Sequence, residues 1–138
     1  MIFATEADAT ERVRVARSGA TTAVRVIRGW KCGTVERLND EVGAALQFPA
    51  YYGENWDAMD ECLRDLSWAP AGALLLVLLD VQSVLPGSDD AMRHFLNVLR
   101  WAEDGWAAPG DGRELDFSVI VAGDEPGLLR ARALATPP

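Results

Sequence analysis

Histidine and lysine occur once each in this 138-residue chain, as His94 and Lys31, and cysteine twice, as Cys32 and Cys62. A lone histidine and two scattered cysteines do not make a zinc ligand set, so no metal and no cofactor are expected. Two cysteines are also too few for the disulfide framework of a small secreted scaffold. Cys62 has no histidine near it in sequence and is expected to be a buried small hydrophobe rather than a nucleophile. Long apolar runs are missing: the longest, residues 73–79, is far too short to span a bilayer. The start, Met1-Ile2-Phe3-Ala4, leads into Glu6 and Asp8 instead of a basic segment and an apolar run, so no signal peptide and a cytoplasmic location are expected. Positive charge is scarce, with 13 Lys and Arg against 21 Asp and Glu. The net charge of −8 and pI near 4.5 argue against nucleic acid or an anionic membrane as partner. They fit a basic protein partner, or good solubility. Repeats and low-complexity runs are absent. Arginine supplies twelve of the thirteen cations, and with abundant alanine this hints at a GC-rich bacterial genome.

What is present is an ordinary globular balance, 49% hydrophobic and 25% charged, in a length suited to one domain. Residues 11–17 alternate valine with arginine, which allows a hairpin with residues 22–28 or a helix from about Asp8 to Arg17. Val24, Val26 and Ile27 give a strand ending at Gly29. Thr34 caps a helix to about Leu46, with Val35, Leu38, Val42, Ala45 and Leu46 on one side. Residues 73–80 read as a strand buried on both faces and hence parallel. Asp80 at its end is expected in a turn or capping role. Ser88 caps a helix to about Asp104 with Met92, Phe95, Leu96, Leu99 and Ala102 inward. Residues 107–113 read as loop, 115–121 as a third strand, and a short helix runs from Pro126 to about Ala135 before a frayed Pro137-Pro138. Strands separated by helices imply parallel pairing. Trp30, Trp68 and Trp106 are expected as core or partly buried anchors, and His94 at the surface or as a cap.

Residues 48–63, FPAYYGENWDAMDECL, are the most distinctive stretch. Pro49 closes what precedes it. Tyr51-Tyr52-Gly53 reads as an aromatic loop with Gly53 free to take a positive φ, and Tyr52 as half core, half surface. Asn55 caps a helix from Trp56 to about Leu66. Trp56, Met59, Leu63 and Leu66 recur at helical spacing, although Trp56 at the helix start can face the core or the surface. Asp57, Asp60 and Glu61 crowd the exposed side, where like charges repel mildly and Arg64, four residues after Asp60, offers partial relief. Such a surface is either a solvated acidic helix face or one prepared for a cationic partner.

Pro49, Tyr51-Tyr52-Gly53-Glu54-Asn55, Asp57-Ala58 and Cys62-Leu63 stand in unbroken register with the core motif of the barstar family, which this chain resembles. Those proteins are intracellular inhibitors of secreted microbial ribonucleases. The specific run covers about sixteen residues. The resemblance implies an α/β, barstar-like fold, a small three-stranded parallel β-sheet packed by α-helices. It implies one domain, with core 23–122 and extensions 1–22 and 123–138. It also places the strand at Ala23–Arg28 centrally, leaving no edge for a hairpin partner and favouring a helix before it. Some members pair cysteines, so a Cys32–Cys62 contact stays open.

The family inhibits by mimicry, a carboxylate on a helix taking the place of a substrate phosphate in the enzyme cleft. Here Glu61 stands where the family commonly has an aspartate, and Asp57 matches the neighbouring acid. Glutamate keeps the charge that suits arginine, and its extra methylene calls for a slightly retracted helix or a different depth of cleft. The partner-binding set implied is Tyr51, Tyr52, Gly53, Asn55, Trp56, Asp57, Asp60, Glu61, Arg64 and Trp101. Three positions depart from the best-known member: Trp56 replaces an aliphatic residue, Asp60 a bulky aromatic and Trp101 a further acid. The expected function is one-to-one inhibition of a guanyl-preferring ribonuclease by a bacterial immunity-type protein that is a monomer when free. The alternative is a module that binds a different intracellular or toxin protein. An enzyme using Asp57, Asp60, Glu61 and Asp80 with a divalent metal would need ligands converging in a cavity. No nucleophile, phosphate loop or base accompanies these acids, so no catalytic residue is expected.

Overall fold

The computed structural model describes residues 1–19, 21–50, 52–69, 72–108, 110 and 114–135. In chain order the elements are β1 (Ile2–Ala4), α1 (Glu6–Ser18), β2 (Thr22–Arg28), α2 (Val35–Ala45), α3 (Trp56–Asp65), β3 (Gly72–Leu79), α4 (Asp89–Ala107), β4 (Leu115–Ala122) and α5 (Glu125–Ala135). Short 3₁₀ turns at Gly29–Lys31 and Val81–Ser83 follow β2 and β3. The strands form one parallel sheet in the order β1-β4-β3-β2. Among the described residues no helix is long and apolar enough to cross a membrane.

Strand β3 is central, and side chains alternate between sheet faces along a strand. Leu74, Leu76 and Leu78 point into the larger core with Leu38 and Val42 of α2, Met59 and Leu63 of α3, and Phe95 of α4. Leu75 and Val77 point the other way, onto Ala9, Ile120 and Ala122, with Val13 and Ala16 of α1 packed around them. Burial of each leucine stabilises by roughly 1.5–3 kcal/mol, so both faces need a cover. One face takes α1 and the other takes α2 to α5.

The sheet corrects two expectations. It has four strands and not three, because Ile2–Ala4 pairs with β4 through Ile2↔Ile120, Phe3↔Val121 and Ala4↔Ala122. And β2 lies at an edge, not at the centre: β2, β3 and β4 are laid down in sequence order, and α1 carries the chain from β1 at one edge to β2 at the other. Residues 6–18 are helical, as favoured, but for local reasons. Thr5 accepts the Asp8 N–H at 3.2 Å, Glu6 and Asp8 occupy the first turn, Arg17 the last, and Glu11 pairs with Arg14. The inward stripe is Ala9, which is buried, with Val13 and Ala16 partly buried beside it, and Val15 is left exposed.

Thr34, Asn55 and Ser88 cap their helices through the N–H groups of Arg37, Ala58 and Ala91. Trp68 and Trp106 are half-buried anchors, whereas Trp30 is 54% exposed, because the turn at Gly29–Lys31 turns it outward past the sheet edge. That turn needs glycine at its start: a Cβ on Gly29 would lie 2.2 Å from the Leu79 carbonyl oxygen. Cys32 and Cys62 are both free thiols and buried. Burial pushes the Cys32 thiol up to about 12, and raises that of Cys62. Pro70, most of 109–113 and Pro137-Pro138 lie outside the described residues.

The β2 edge is closed at its C-terminal end by Glu41 of α2. Its carboxylate accepts the Arg28 backbone N–H at 2.9 Å and the Arg28 guanidinium at 2.9 and 2.8 Å. These bonds, chiefly the guanidinium's, hold the buried Glu41 carboxyl below its usual range. A group so lowered stabilises the fold above its unfolded pKa, and that contribution fades as pH falls through the folded value. Glu41→Gln is therefore expected to cost about 1.5–3 kcal/mol at neutral pH, with the difference from the parent shrinking under acid. Urea unfolding at several pH values checks this, and a deficit that does not change with pH would refute the charge linkage.

Candidate protein-binding surface

Helix α3 is fixed at both ends. Asn55 accepts the Ala58 N–H at 2.8 Å and donates to the Gly53 carbonyl at 3.3 Å. The left-handed residue of the preceding loop is Glu54, with φ of 52°, not Gly53 as expected. Asn55 ties the Gly53 carbonyl back toward the cap, and the reversal falls one residue later. At the far end Leu66 is left-handed at φ 43° and donates its N–H to the Cys62 carbonyl at 3.0 Å. Met59, Cys62, Leu63 and Leu66 are buried beneath the helix. The Trp106 indole N–H donates to the Leu63 carbonyl at 2.8 Å, and that of Trp68 to the Leu46 carbonyl at 3.0 Å.

The outward side carries the acids. Asp57 and Glu61 are exposed, and neither has an ion partner among the described residues. Asp60 is half-buried and receives the Arg64 Nε at 3.0 Å, so the i,i+4 pair neutralises this acid within the helix. Trp56 is half-buried and stacks on His94 of α4, with ring centroids 4.8 Å apart and planes 18° from parallel. Trp101, seven residues after His94 on the same face of α4, is 43% exposed. Asn55, Trp56, Asp57, Asp60, Glu61 and Arg64 thus share one helix, Gly53 adjoins its start, and Trp101 stands on the helix packed beside it. Tyr51 lies outside the described residues.

Tyr52 is half-buried, its ring edge-on to Phe48 at 4.9 Å. Burial pushes its phenol well above the usual range. Its hydroxyl donates to Oδ1 of Asn39, a buried α2 residue whose amide donates to the Val35 carbonyl at 3.0 Å. Asn39 was not singled out in sequence. Its signal was a polar residue on the apolar stripe of Val35, Leu38 and Val42. His94 is exposed, in line with the expected surface position, and its stacking on Trp56 is what the sequence does not show. Asp80 holds a turn: it is left-handed at φ 58°, donates its N–H to Glu6 at 2.9 Å, and accepts from Gln82 and Ser83. Among the described residues no group of three or more His, Cys, Asp or Glu is placed to hold a metal ion.

Fold and surface together define a parallel α/β protein that presents a rigid, acidic and aromatic helix face, the make-up of a protein-binding module. The family model described as Barstar (barnase inhibitor) matches residues 22–122. The chain belongs to the barstar family, an inhibitor family that works by binding a protein partner and not by catalysis. No curated protein matches it. Among solved structures it is similar to the ORC2 protein of Aeropyrum pernix in ADPNP–ADP complexes, at 20% identity and a TM-score of 0.56, over 92% of this chain and 33% of that one. It is also similar to Drosophila ORC bound to GC-rich DNA and Cdc6, at 14% identity and a TM-score of 0.50, over 94% of this chain and 45% of that one. This chain thus spans less than half the length of either, and the likeness is one of fold alone.

One contact in this region is repulsive. Glu54 meets Asp40 of α2, and the shared hydrogen bond and like charge raise the Glu54 carboxyl above its usual range. A carboxyl so raised stabilises the fold only while protonated, below its unfolded pKa, and the contribution is lost as pH rises through the folded value. At neutral pH two charges face each other. Glu54→Gln, which keeps a donor for Asp40, is expected to raise Tm at pH 7 and to have no effect below about pH 4. Thermal melts across that range test it; a Tm at pH 7 equal to or below the parent's would contradict the repulsion.

Proposed function

We propose that this protein inhibits a secreted, guanyl-preferring microbial ribonuclease in the bacterial cytoplasm. It binds one-to-one as a free monomer and plugs the active-site cleft with the 51–64 loop and α3. The observation that carries this reading is the unequal fate of the three acids. Asp60 is neutralised by Arg64, while Asp57 and Glu61 stand exposed without ion partners among the described residues, on a helix held at both ends. Two uncommitted carboxylates on a preorganised helix suit a cleft built to hold phosphate. Glu61 offers arginine a charge-assisted, two-oxygen contact and takes the place of the substrate phosphate. Its extra methylene reaches further into the cleft from the same helix position. Trp56 and Trp101 flank the acids and keep water from the contact, as aromatic residues do around a desolvated charge. Net charge of −8 draws a cationic enzyme in.

A second reading, a module for a different intracellular or toxin protein, draws support from Trp101. Its exposed indole on α4 adds apolar area where the best-known member carries an acid, and suits a target with an apolar recess beside its cationic cleft.

Titration of purified guanyl-preferring ribonucleases is expected to give saturating one-to-one inhibition of at least one. Raising salt should slow association more than it changes dissociation. Glu61→Ala and Asp57→Ala should each weaken the complex by about 2 kcal/mol or more while moving stability by no more than about 0.5 kcal/mol. Full affinity in both variants would sink the mimicry. No inhibition across the panel would move the target to the second reading.

A further inference from the structure

We propose that Asn39 is a positioning residue for partner binding, holding loop 52–55 in its binding geometry through the Tyr52 hydroxyl. The inference rests on the function proposed above, and it assigns a role to a residue of α2 outside the binding face.

The chain leaves α2 through a left-handed Gln47, with φ of 55°, and the Phe48 N–H returns to the Gly43 carbonyl at 2.9 Å. It reaches Tyr52, whose N–H donates to the Pro49 carbonyl at 2.9 Å, then turns at left-handed Glu54 into the Asn55 cap. Among the described residues between the Phe48 anchor and that cap, the hydroxyl of Tyr52 makes the bond to a buried side chain of α2, whereas Glu54 meets Asp40 of the same helix as an exposed, like-charged pair. Asn39 is only 2% exposed, and both ends of its amide are used: Nδ2 faces the Val35 carbonyl at 3.0 Å and Oδ1 faces the phenol. A flipped amide would set Oδ1 against a carbonyl oxygen, so the Val35 bond fixes which atom meets Tyr52, and the phenol must donate. The bond is therefore directional as well as buried.

The loop needs such a tie. The edge-on contact of the Tyr52 ring with Phe48 and the space above Gly43 that the ring fills are non-directional packing. Asp40, one residue along the helix from Asn39, and Glu54 bring like charges together when both are ionised and so add no firm tie at neutral pH. A loop released from α2 would carry Gly53 and Asn55 with it and loosen the start of α3, where Trp56 and Asp57 stand. Ordering it on binding would then draw on the affinity.

The test compares Asn39→Ala, Tyr52→Phe and the double variant with the parent, below the temperature at which circular dichroism shows any unfolding. Amide exchange at Tyr52, Ala58 and Met59, whose N–H groups bond to Pro49 and Asn55 across the loop and cap, should quicken on the order of tenfold in each variant, while β3 and α4 keep parent rates. Affinity for a guanyl-preferring ribonuclease that the parent inhibits should fall on the order of tenfold in each single variant. The double variant should fall no further, because the two groups act as one unit. A purely structural role would lower Tm alone and leave the affinity of the folded protein unchanged, which overturns the proposal. So do unchanged exchange at Tyr52, Ala58 and Met59 or additive losses. If the parent inhibits no ribonuclease while exchange quickens as expected, the functional reading has failed and the positioning role in binding with it, although the ordering of the loop by Asn39 stands.

Discussion

Strand β3 carries apolar side chains to both faces of the sheet, and neither face can be left to water. Leu74, Leu76 and Leu78 demand cover on one side, Leu75 and Val77 on the other, and the rest of the architecture answers that demand. Helix α1 crosses one face from edge to edge, which also obliges β1 and β2 to lie on opposite sides of the central pair. The other face must accommodate α2 to α5, and crowding there decides what α3 can show. Wedged against α4 and anchored by Met59 and Leu63, α3 buries one side and leaves the other to solvent. The exposed acidic face of α3 is what the core leaves over.

That leftover face is arranged against its own electrostatics. Asp57, Asp60 and Glu61 on one turn and a half disfavour the helix, and the dipole helps only Asp57, which sits in the first turn. Arg64 takes one charge out of the balance, and the Asn55 cap and the left-handed Leu66 hold the two ends. What remains is a pair of exposed carboxylates whose repulsion the cationic partner proposed above would relieve. Association then gains twice, from attraction across the interface and from relief within it.

Much of this was legible in sequence, and the parts that were not share a cause. Caps at Thr34, Asn55 and Ser88 were readable because side chain and target N–H lie three residues apart, and the double-sided burial of β3 because seven consecutive apolar residues leave no polar face. The three-residue β1 was too short to show any period, and its place is set only by partners at Ile120, Val121 and Ala122, far along the chain. The edge position of β2 was misjudged for the same reason: strand order depends on β1, and no local pattern encodes it. Trp30 was expected in the core or as a partly buried anchor because tryptophan usually is, yet the direction of its side chain follows from a turn forced by Gly29 against β3. At the site, helix α3 and its acids were readable by spacing. The Trp56–His94 stack and the Tyr52–Asn39 bond were not, since each joins elements thirteen or more residues apart.

Those long-range polar contacts have a common role. Hydrophobic burial is non-directional, so the core under α3 resists lifting but specifies rotation and slide only loosely. The tryptophans add what burial lacks: Trp106 donates to the backbone of α3 itself, and Trp68 to the end of α2 that feeds the loop. Asn39 adds a third directional bond at the loop. Each ends on a carbonyl or an amide oxygen, groups whose position is fixed by helix geometry, so each transmits the rigidity of a helix to a neighbour. A surface that must hold like charges close together and aimed outward gains more from such bonds than from further apolar area, because repulsion acts along the directions that apolar packing leaves soft.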